Sequence, residues 1–146
     1  MHSLVIYASR SGNTKRIAEA IADGLRQRGI VEVQSVEEAP SAIPAEVDLV
    51  VIGGPTEAHG MTPPLREFLG RLAPDALEGR RAVGFDTRLR WPLLLSRSAG
   101  AGITDQLRAR HANLVAHEES FFVTRAPELE PGELERATAW GAALAA

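Results

Sequence analysis

The chain of 146 residues contains no cysteine. That excludes disulfides, thiolate catalysis, iron–sulfur ligation and cysteine-type zinc sites. Aromatic residues make up only 5%, so each one outside a core is informative. No apolar run approaches the roughly 20 residues of a membrane span. The opening MHSLVIYASR lacks a basic n-region, and its short apolar run leads straight into a glycine loop. A signal peptide is therefore not expected, and the expected location is the cytoplasm. Positive charge is not in excess: the net charge is -3 and the pI about 5.8, so no global field favours nucleic acid. Repeats, long linkers and low-complexity tracts are absent too. What remains is an ordinary globular composition, 45% hydrophobic and 24% charged, of a length that fits one domain over 1–146.

Short apolar runs alternate with amphipathic segments. Residues 4–8 are continuously apolar, as in a strand buried on both faces. A helix is predicted over 14–28, because Ile17, Ile21 and Leu25 recur every fourth residue and Gly29 stands where a glycine ends helices. Residues 31–36 alternate and read as a strand nearer the sheet edge. Pro40 and Pro44 argue against a full helix in the connection over 37–47. A second buried strand spans 49–52, and Gly53, Gly54 and Pro55 are expected to break it.

Thr62 is the predicted N-cap of a helix with Pro63 at its first position, where a missing N–H costs nothing. Leu65, Phe68, Leu69 and Leu72 form its apolar face. Residues 82–85 form a short strand, 87–97 read as loop, and a helix is expected over 103–110. Gly100-Ala101-Gly102 reads as flexible punctuation. Residues 114–123 give one broken strand or two short ones, interrupted at 117–120, with Glu118 and Glu119 facing solvent. A last helix is predicted over 131–144. The order βαββαβαβα implies a parallel sheet covered on both faces. Ligands of such sheets bind beyond the carboxyl ends of the strands, which singles out the loops 9–14, 53–62 and 86–97.

The first loop carries the chemistry. Ser9-Arg10-Ser11-Gly12-Asn13-Thr14 lies between a buried strand and a helix start. Four of its six side chains are small oxygen or amide groups that can hydrogen-bond a phosphate. Gly12 lets the backbone turn sharply, and the free amides and dipole of a helix N-terminus favour an anion. The loop is neither a Walker A loop nor a dinucleotide fingerprint, because the required lysine and glycines are missing. Over six residues alone, a serine-rich turn with Thr14 as N-cap would look the same.

The stretch LVIYASRSGNTKRIAEAIADGL resembles the start of a flavodoxin, whose phosphate loop reads T/S-x-T/S-G-N-T. SRSGNT matches every fixed position, and the length, the element order and the closing WGAALA helix are similar to a short-chain flavodoxin. The resemblance implies an α/β fold, a flavodoxin-like three-layer sandwich. Its five-stranded parallel sheet is doubly wound in the order 2-1-3-4-5, with helices on both faces. It also implies noncovalent flavin mononucleotide (FMN), one- or two-electron chemistry, and a phosphate held by Ser9, Arg10, Ser11, Gly12, Asn13 and Thr14.

In flavodoxins the loops after the third and fourth strands flank the flavin ring. The first loop here is GGPTEAHGMT, with Pro55, Thr56, His59 and Gly60 as candidate contacts. With two residues inserted, His59-Gly60 stands where the family has an aromatic followed by glycine. Met61 is an alternative surface for the ring, and a solvated loop histidine is the ordinary reading of His59. The second loop, FDTRLRWPLLLSRSAGAG, departs from the family. Asp86 follows the strand at once, no glycine accompanies it, and Trp91 is its only aromatic beyond the strand. Backbone groups of Asp86, Thr87 and Arg88 are candidates for the pyrimidine edge, and Trp91 either covers the ring or anchors the core.

Arg80, Arg81, Arg88, Arg90 and Arg97 outnumber Glu78 and Asp86 around this loop. Such a run is usually a solvated face; the sharper reading is a surface for an anionic substrate or an acidic redox partner. The four histidines are too scattered for a metal motif, and no side chain looks like a catalytic acid, base or nucleophile. Three readings follow. The first is an FMN-binding electron carrier serving a redox partner protein. The second is a reductase of a quinone or another small anionic acceptor. The third is a flavodoxin-fold binding module that has lost flavin. No nucleic acid or membrane insertion is expected, and the expected state is a monomer.

Overall fold

A computed structural model of the chain describes residues 1–57, 60–90 and 98–146. Two apolar strands form its centre, β1 (His2–Tyr7) and β3 (Leu49–Glu57), paired in parallel from Ser3↔Leu49 to Tyr7↔Gly53. Leu4, Val5, Ile6 and residues 49–52 are shut off from solvent on both faces, which is why their sequence is apolar without alternation. The alternating β2 (Ile30–Ser35) pairs on the outer side of β1 as an edge strand. On the other side of β3 lies β5 (Arg81–Arg88). The short β4 (Gly60–Met61) folds back antiparallel on the end of β3, with Thr56 opposite Met61.

The expected fifth strand is present as two pieces. β6 (Asn113–Leu114) pairs with the start of β5, and β7 (Glu119–Phe122) with its end. The break falls at 115–118, slightly earlier than the sequence suggests. Taking β6 and β7 as one strand and setting the β4 return aside, the order is 2-1-3-4-5.

Helices α1 (Asn13–Leu25) and α4 (Glu133–Ala145) cover one face, and α2 (Pro63–Arg71) and α3 (Ala99–Ala109) the other. On the first face Val5, Val51, Val83, Phe85 and Phe121 meet Ile17, Ile21, Leu25 and Ala137. Phe85, Phe121 and Trp140 meet edge to face there, with ring centroids 5.9–6.5 Å apart. On the second face Leu4, Ile6, Val50 and Ile52 meet Leu65, Phe68, Leu69, Ile103 and Leu107. Gly24 and Gly141 let α1 and α4 cross backbone to backbone: a Cβ on Gly141 would overlap the Ile21 carbonyl, and one on Gly24 the Thr138 carbonyl.

Several boundaries differ from the sequence reading, each for a non-local reason. Gly53, Gly54 and Pro55 do not break β3, which runs on to Glu57. A Cβ on Gly53 would overlap the Phe85 ring, and one on Gly54 would come within 2.8 Å of Leu65 Cδ2. These glycines make room for neighbours rather than turn the chain. Thr87 and Arg88 belong to β5, not to a loop, because β7 pairs with them. α3 starts at Ala99, well before Ile103, so Gly100 and Gly102 are helical. Glu118 and Glu119 are half-buried rather than solvent-facing, with Glu118 Oε2 taking the Thr104 hydroxyl at 2.9 Å.

Candidate functional site

The loop between β1 and α1 is built as an anion cradle. Gly12 is the N-cap of α1, at φ +94°, a left-handed conformation that residues with a Cβ rarely adopt. The N-cap is therefore Gly12 and not Thr14. Gly12 has no side chain to cap the helix, and the first turn holds no acid. The amides of Gly12 and Lys15 converge instead on Ser9 Oγ, at 3.2 and 3.4 Å. A hydroxyl oxygen occupies the focus of the N–H groups, where an anionic oxygen would be held more strongly. Asn13 donates to Ser11 Oγ and to the Pro127 carbonyl, both at 3.2 Å, which fixes the loop against the chain after β7. Ser11 and Arg10 are exposed. Thr14 points the other way: its hydroxyl lies buried, 2.8 Å from that of Thr87 on β5.

The start of α3 is the opposite case, because its first amides are already taken. Ala99 N–H donates to Thr56 Oγ1 at 2.9 Å, Gly100 N–H to Asp86 Oδ2 at 2.8 Å and Ala101 N–H to Ser98 Oγ at 3.1 Å. The side chains of Thr56 and Asp86 thus hold a helix from below. Asp86 is fully buried, and its Oδ1 has no partner. Burial pushes its carboxyl above the ordinary aspartate range, against the Gly100 amide, the Ser120 hydroxyl, the Arg88 charge and the Ser98 hydroxyl, which pull it down. The two helix starts thus differ: that of α3 is held by the buried Asp86 with Thr56 and Ser98, and that of α1 only by the exposed Ser9 hydroxyl.

Around the cradle, Arg10 reaches Glu57 at the end of β3 with an N–O distance of 2.8 Å. A cavity of about 40 Å3 lies behind this pair, lined by Ala8, Ser9, Arg10, Glu37, Pro55, Thr62 and Pro64. The buried Thr62 hydroxyl has no partner, and it does not cap α2, although Thr62 does stand at the N-cap. Gly60 is buried at φ +87° beside Met61, whose side chain lies against the first turn of α3. His59 and Trp91 lie outside the described residues.

Among the described residues the basic run does not form one patch; Arg97 lies outside them. Arg80 and Arg81 stand at the start of β5 and Arg88 at its end, about 23 Å away at 3.3 Å per residue. Arg80 Nη1 donates to the Pro44 and Val47 carbonyls and so fastens the connection after β2. Arg88 donates to Ser120 Oγ at 3.1 Å, and Arg90 makes a forked pair with Glu130. Both guanidiniums stack on Phe122, at 5.2 and 4.2 Å from its centroid.

Sequence reading passed over Glu57, Ser98 and Ser120, took Thr62 only as a helix cap and set Glu118 in solvent. Of the three passed over, Ser98 carried a local signal, a serine three residues before Ala101 and just ahead of the periodic Ile103 and Leu107. Among the described residues, no cluster of three His, Asp or Glu is placed to hold a metal, and no helix is long and apolar enough to cross a membrane.

Similarity to known proteins bears on this architecture. The chain is 31% identical to the flavodoxin of Aquifex aeolicus over 93 residues, covering 60% of this chain and 50% of that protein. It is also 31% identical over 114 residues to an NAD(P)H dehydrogenase (quinone) of Archaeoglobus fulgidus, covering 56% and 59% respectively. The matches thus span only half or slightly more of these relatives' length. In three dimensions, oxidised flavodoxin 1 from Bacillus cereus superimposes with a TM-score of 0.81 at 24% identity, over 99% of this chain and 97% of that one. The family model for the flavodoxin domain matches residues 4–92, more than half of the chain, including the whole cradle. With that match and this topology, the chain belongs to the flavodoxin family.

Proposed function

We propose that this chain binds FMN, with the phosphate in the cradle of residues 9–14, and carries electrons to a redox partner protein. One observation carries the reading: the glycine-turned amides at the start of α1 meet only the exposed Ser9 hydroxyl, an acceptor that a phosphate oxygen can replace, while those at the start of α3 are held by Thr56, Asp86 and Ser98. The donor set is neutral N–H and O–H, suited to a phosphate that must be held and not cleaved. Gly12 and Lys15 supply amides, Ser9 and Ser11 hydroxyls, and Asn13 its backbone N–H, because its side-chain amide is committed to Ser11 and the Pro127 carbonyl. Thr14 contributes its backbone N–H, because its hydroxyl is committed to Thr87. Pro55 and Thr62 border the site on the β3 side. FMN supplies the one- and two-electron chemistry when bound; the chain's work is to bind and orient it.

Titration with FMN and with riboflavin tests this. Hydrogen bonds to a charged group contribute roughly 1.5–3 kcal/mol each. Losing two weakens binding by about two to four orders of magnitude, so riboflavin is expected to bind far more weakly. Gly12→Val should stay folded by circular dichroism and bind FMN poorly. A Cβ there meets nothing within 4 Å, so the effect comes from the +94° backbone angle, which valine resists. Parental FMN affinity in Gly12→Val, or riboflavin binding as tight as FMN, would sink the proposal. A second reading, reduction of a quinone, is favoured by the similarity to the Archaeoglobus fulgidus protein. Steady-state quinone reduction with NAD(P)H by the FMN-loaded protein separates the two.

A further inference from the structure

The first turn of α3 reads Ala-Gly-Ala-Gly, and its surroundings explain why. A Cβ on Gly100 would stand 3.0 Å from Asp86 Oδ2 and 3.3 Å from the side chain of Glu118. One on Gly102 would stand 3.2 Å from Met61 Cε. This turn is gripped from four sides: by Thr56 of β3, Met61 of β4, Asp86 of β5 and Glu118 of the 115–118 segment. The β3–β4 return and the end of β5 are the two segments that the family resemblance sets on either side of the flavin. α3 is where they are joined. Asp86 also sits one residue before Thr87, whose hydroxyl holds Thr14 in the first turn of α1.

We propose that Asp86 is the positioning residue of the flavin site. Its carboxyl fastens the first turn of α3 to the end of β5 and, with Thr56 and Met61, keeps the two flanking segments in register. Its protonation is thereby coupled to flavin binding. The inference rests on the FMN reading above. Its geometric basis is a fully buried carboxyl with one oxygen on the Gly100 amide and the other unpartnered. Among the described residues, the charged groups facing it are Arg88 on its own strand and Glu118 across Gly100. β3 presents only the Thr56 hydroxyl, and the cap of α3 and β7 present the hydroxyls of Ser98 and Ser120. The Glu119 carboxylate is turned toward Arg136, at 3.4 Å.

The test uses the parent, Asp86→Asn and Asp86→Ala. FMN affinity is read by flavin fluorescence from about pH 4, near the ordinary aspartate value, to pH 8, and the stability of the FMN-free proteins by urea unfolding over the same range. Asparagine keeps an acceptor for Gly100 N–H, and alanine removes it. At pH 7, Asp86→Ala should bind FMN about tenfold or more weakly, the cost of one lost bond to a buried amide. Asp86→Asn should stay within about twofold of the parent. The parent's affinity should inflect with pH, and that inflection should vanish in Asp86→Asn.

The folded protein holds the Asp86 proton to a higher pH than the unfolded chain does. The parent's stability should therefore fall as pH rises through that window, a slope that Asp86→Asn lacks. Parental FMN affinity in a folded Asp86→Ala, or an unchanged pH profile in Asp86→Asn, overturns the proposal. If Asp86→Ala fails to fold, the Asp86→Asn profiles decide alone. If the parent binds no FMN, the reading of function fails instead. The stability slope then still decides whether Asp86 fastens α3: present in the parent and lost in Asp86→Asn supports it, present in both refutes it.

Discussion

The buried contact between Thr14 and Thr87 can be weighed by a double-mutant cycle. The two hydroxyls lie 2.8 Å apart, with their residues 2% and 3% exposed. Valine keeps the branched shape of threonine and replaces the hydroxyl by a methyl group. Either single substitution leaves the opposite hydroxyl buried without a partner, which costs about 1–3 kcal/mol. For a chain of this size each kcal/mol lowers Tm by about 2–4 °C, so each single variant should melt about 2–12 °C below the parent. The double variant replaces both partners with apolar groups of the same shape and should lie close to the parent. The cycle should therefore show a coupling of about 2–6 kcal/mol, the sum of the two single costs. Urea or thermal unfolding of the four proteins measures it. Because Thr14→Val keeps the backbone N–H, FMN affinity should drop only partially. Additive single effects, or singles as stable as the parent, would show that the pair contributes nothing and that α1 is held to β5 by apolar packing alone.

Two further outcomes are expected. Glu133 is nearly buried and accepts from the Phe122 amide and from Arg136, and the Arg136 bond, ahead of the Phe122 amide, holds its carboxyl below the usual glutamate range. Its stabilisation is present at neutral pH and disappears as pH falls through that lowered value. Glu133→Gln should thus cost about 1–3 kcal/mol at pH 7, with the gap to the parent narrowing in acid; a constant gap would contradict the reading. Gly141→Ala sets a methyl group on the Ile21 carbonyl and should lower stability by about 1–3 kcal/mol or more. A parental midpoint in urea would mean that α1 and α4 can move apart freely.

What sequence revealed and what it hid divide along one line. The buried strands, the apolar faces of α1 and α2 and the cradle depend on residues close together in the chain, so their patterns are readable locally. β3 runs through Gly53 and Gly54 because Phe85 and Leu65 need the space, and neither is near in sequence. β5 extends to Arg88 because Phe122 and its neighbours arrive from beyond residue 118 to pair with it. Thr56 and Asp86 stand where flavin contacts are expected, yet their side chains serve α3, more than a dozen residues downstream in each case. Arg80 looked like part of a charged rim and is a fastener for carbonyls at 44 and 47.

The crossing of α1 and α4 has a consequence for how the protein is made. Leu25 closes one helix, and Glu133 opens the one that covers it 108 residues later (133 minus 25). At about 5–20 residues per second on the ribosome, roughly 5–22 s separate the two. Through that interval the nascent chain carries α1 without its cover, and Phe85 waits for Phe121 and Trp140. Chains released before residue 133 would present the same uncovered surface permanently. They would be natural clients for chaperones and proteases, and they would be the first species to clump when synthesis stalls.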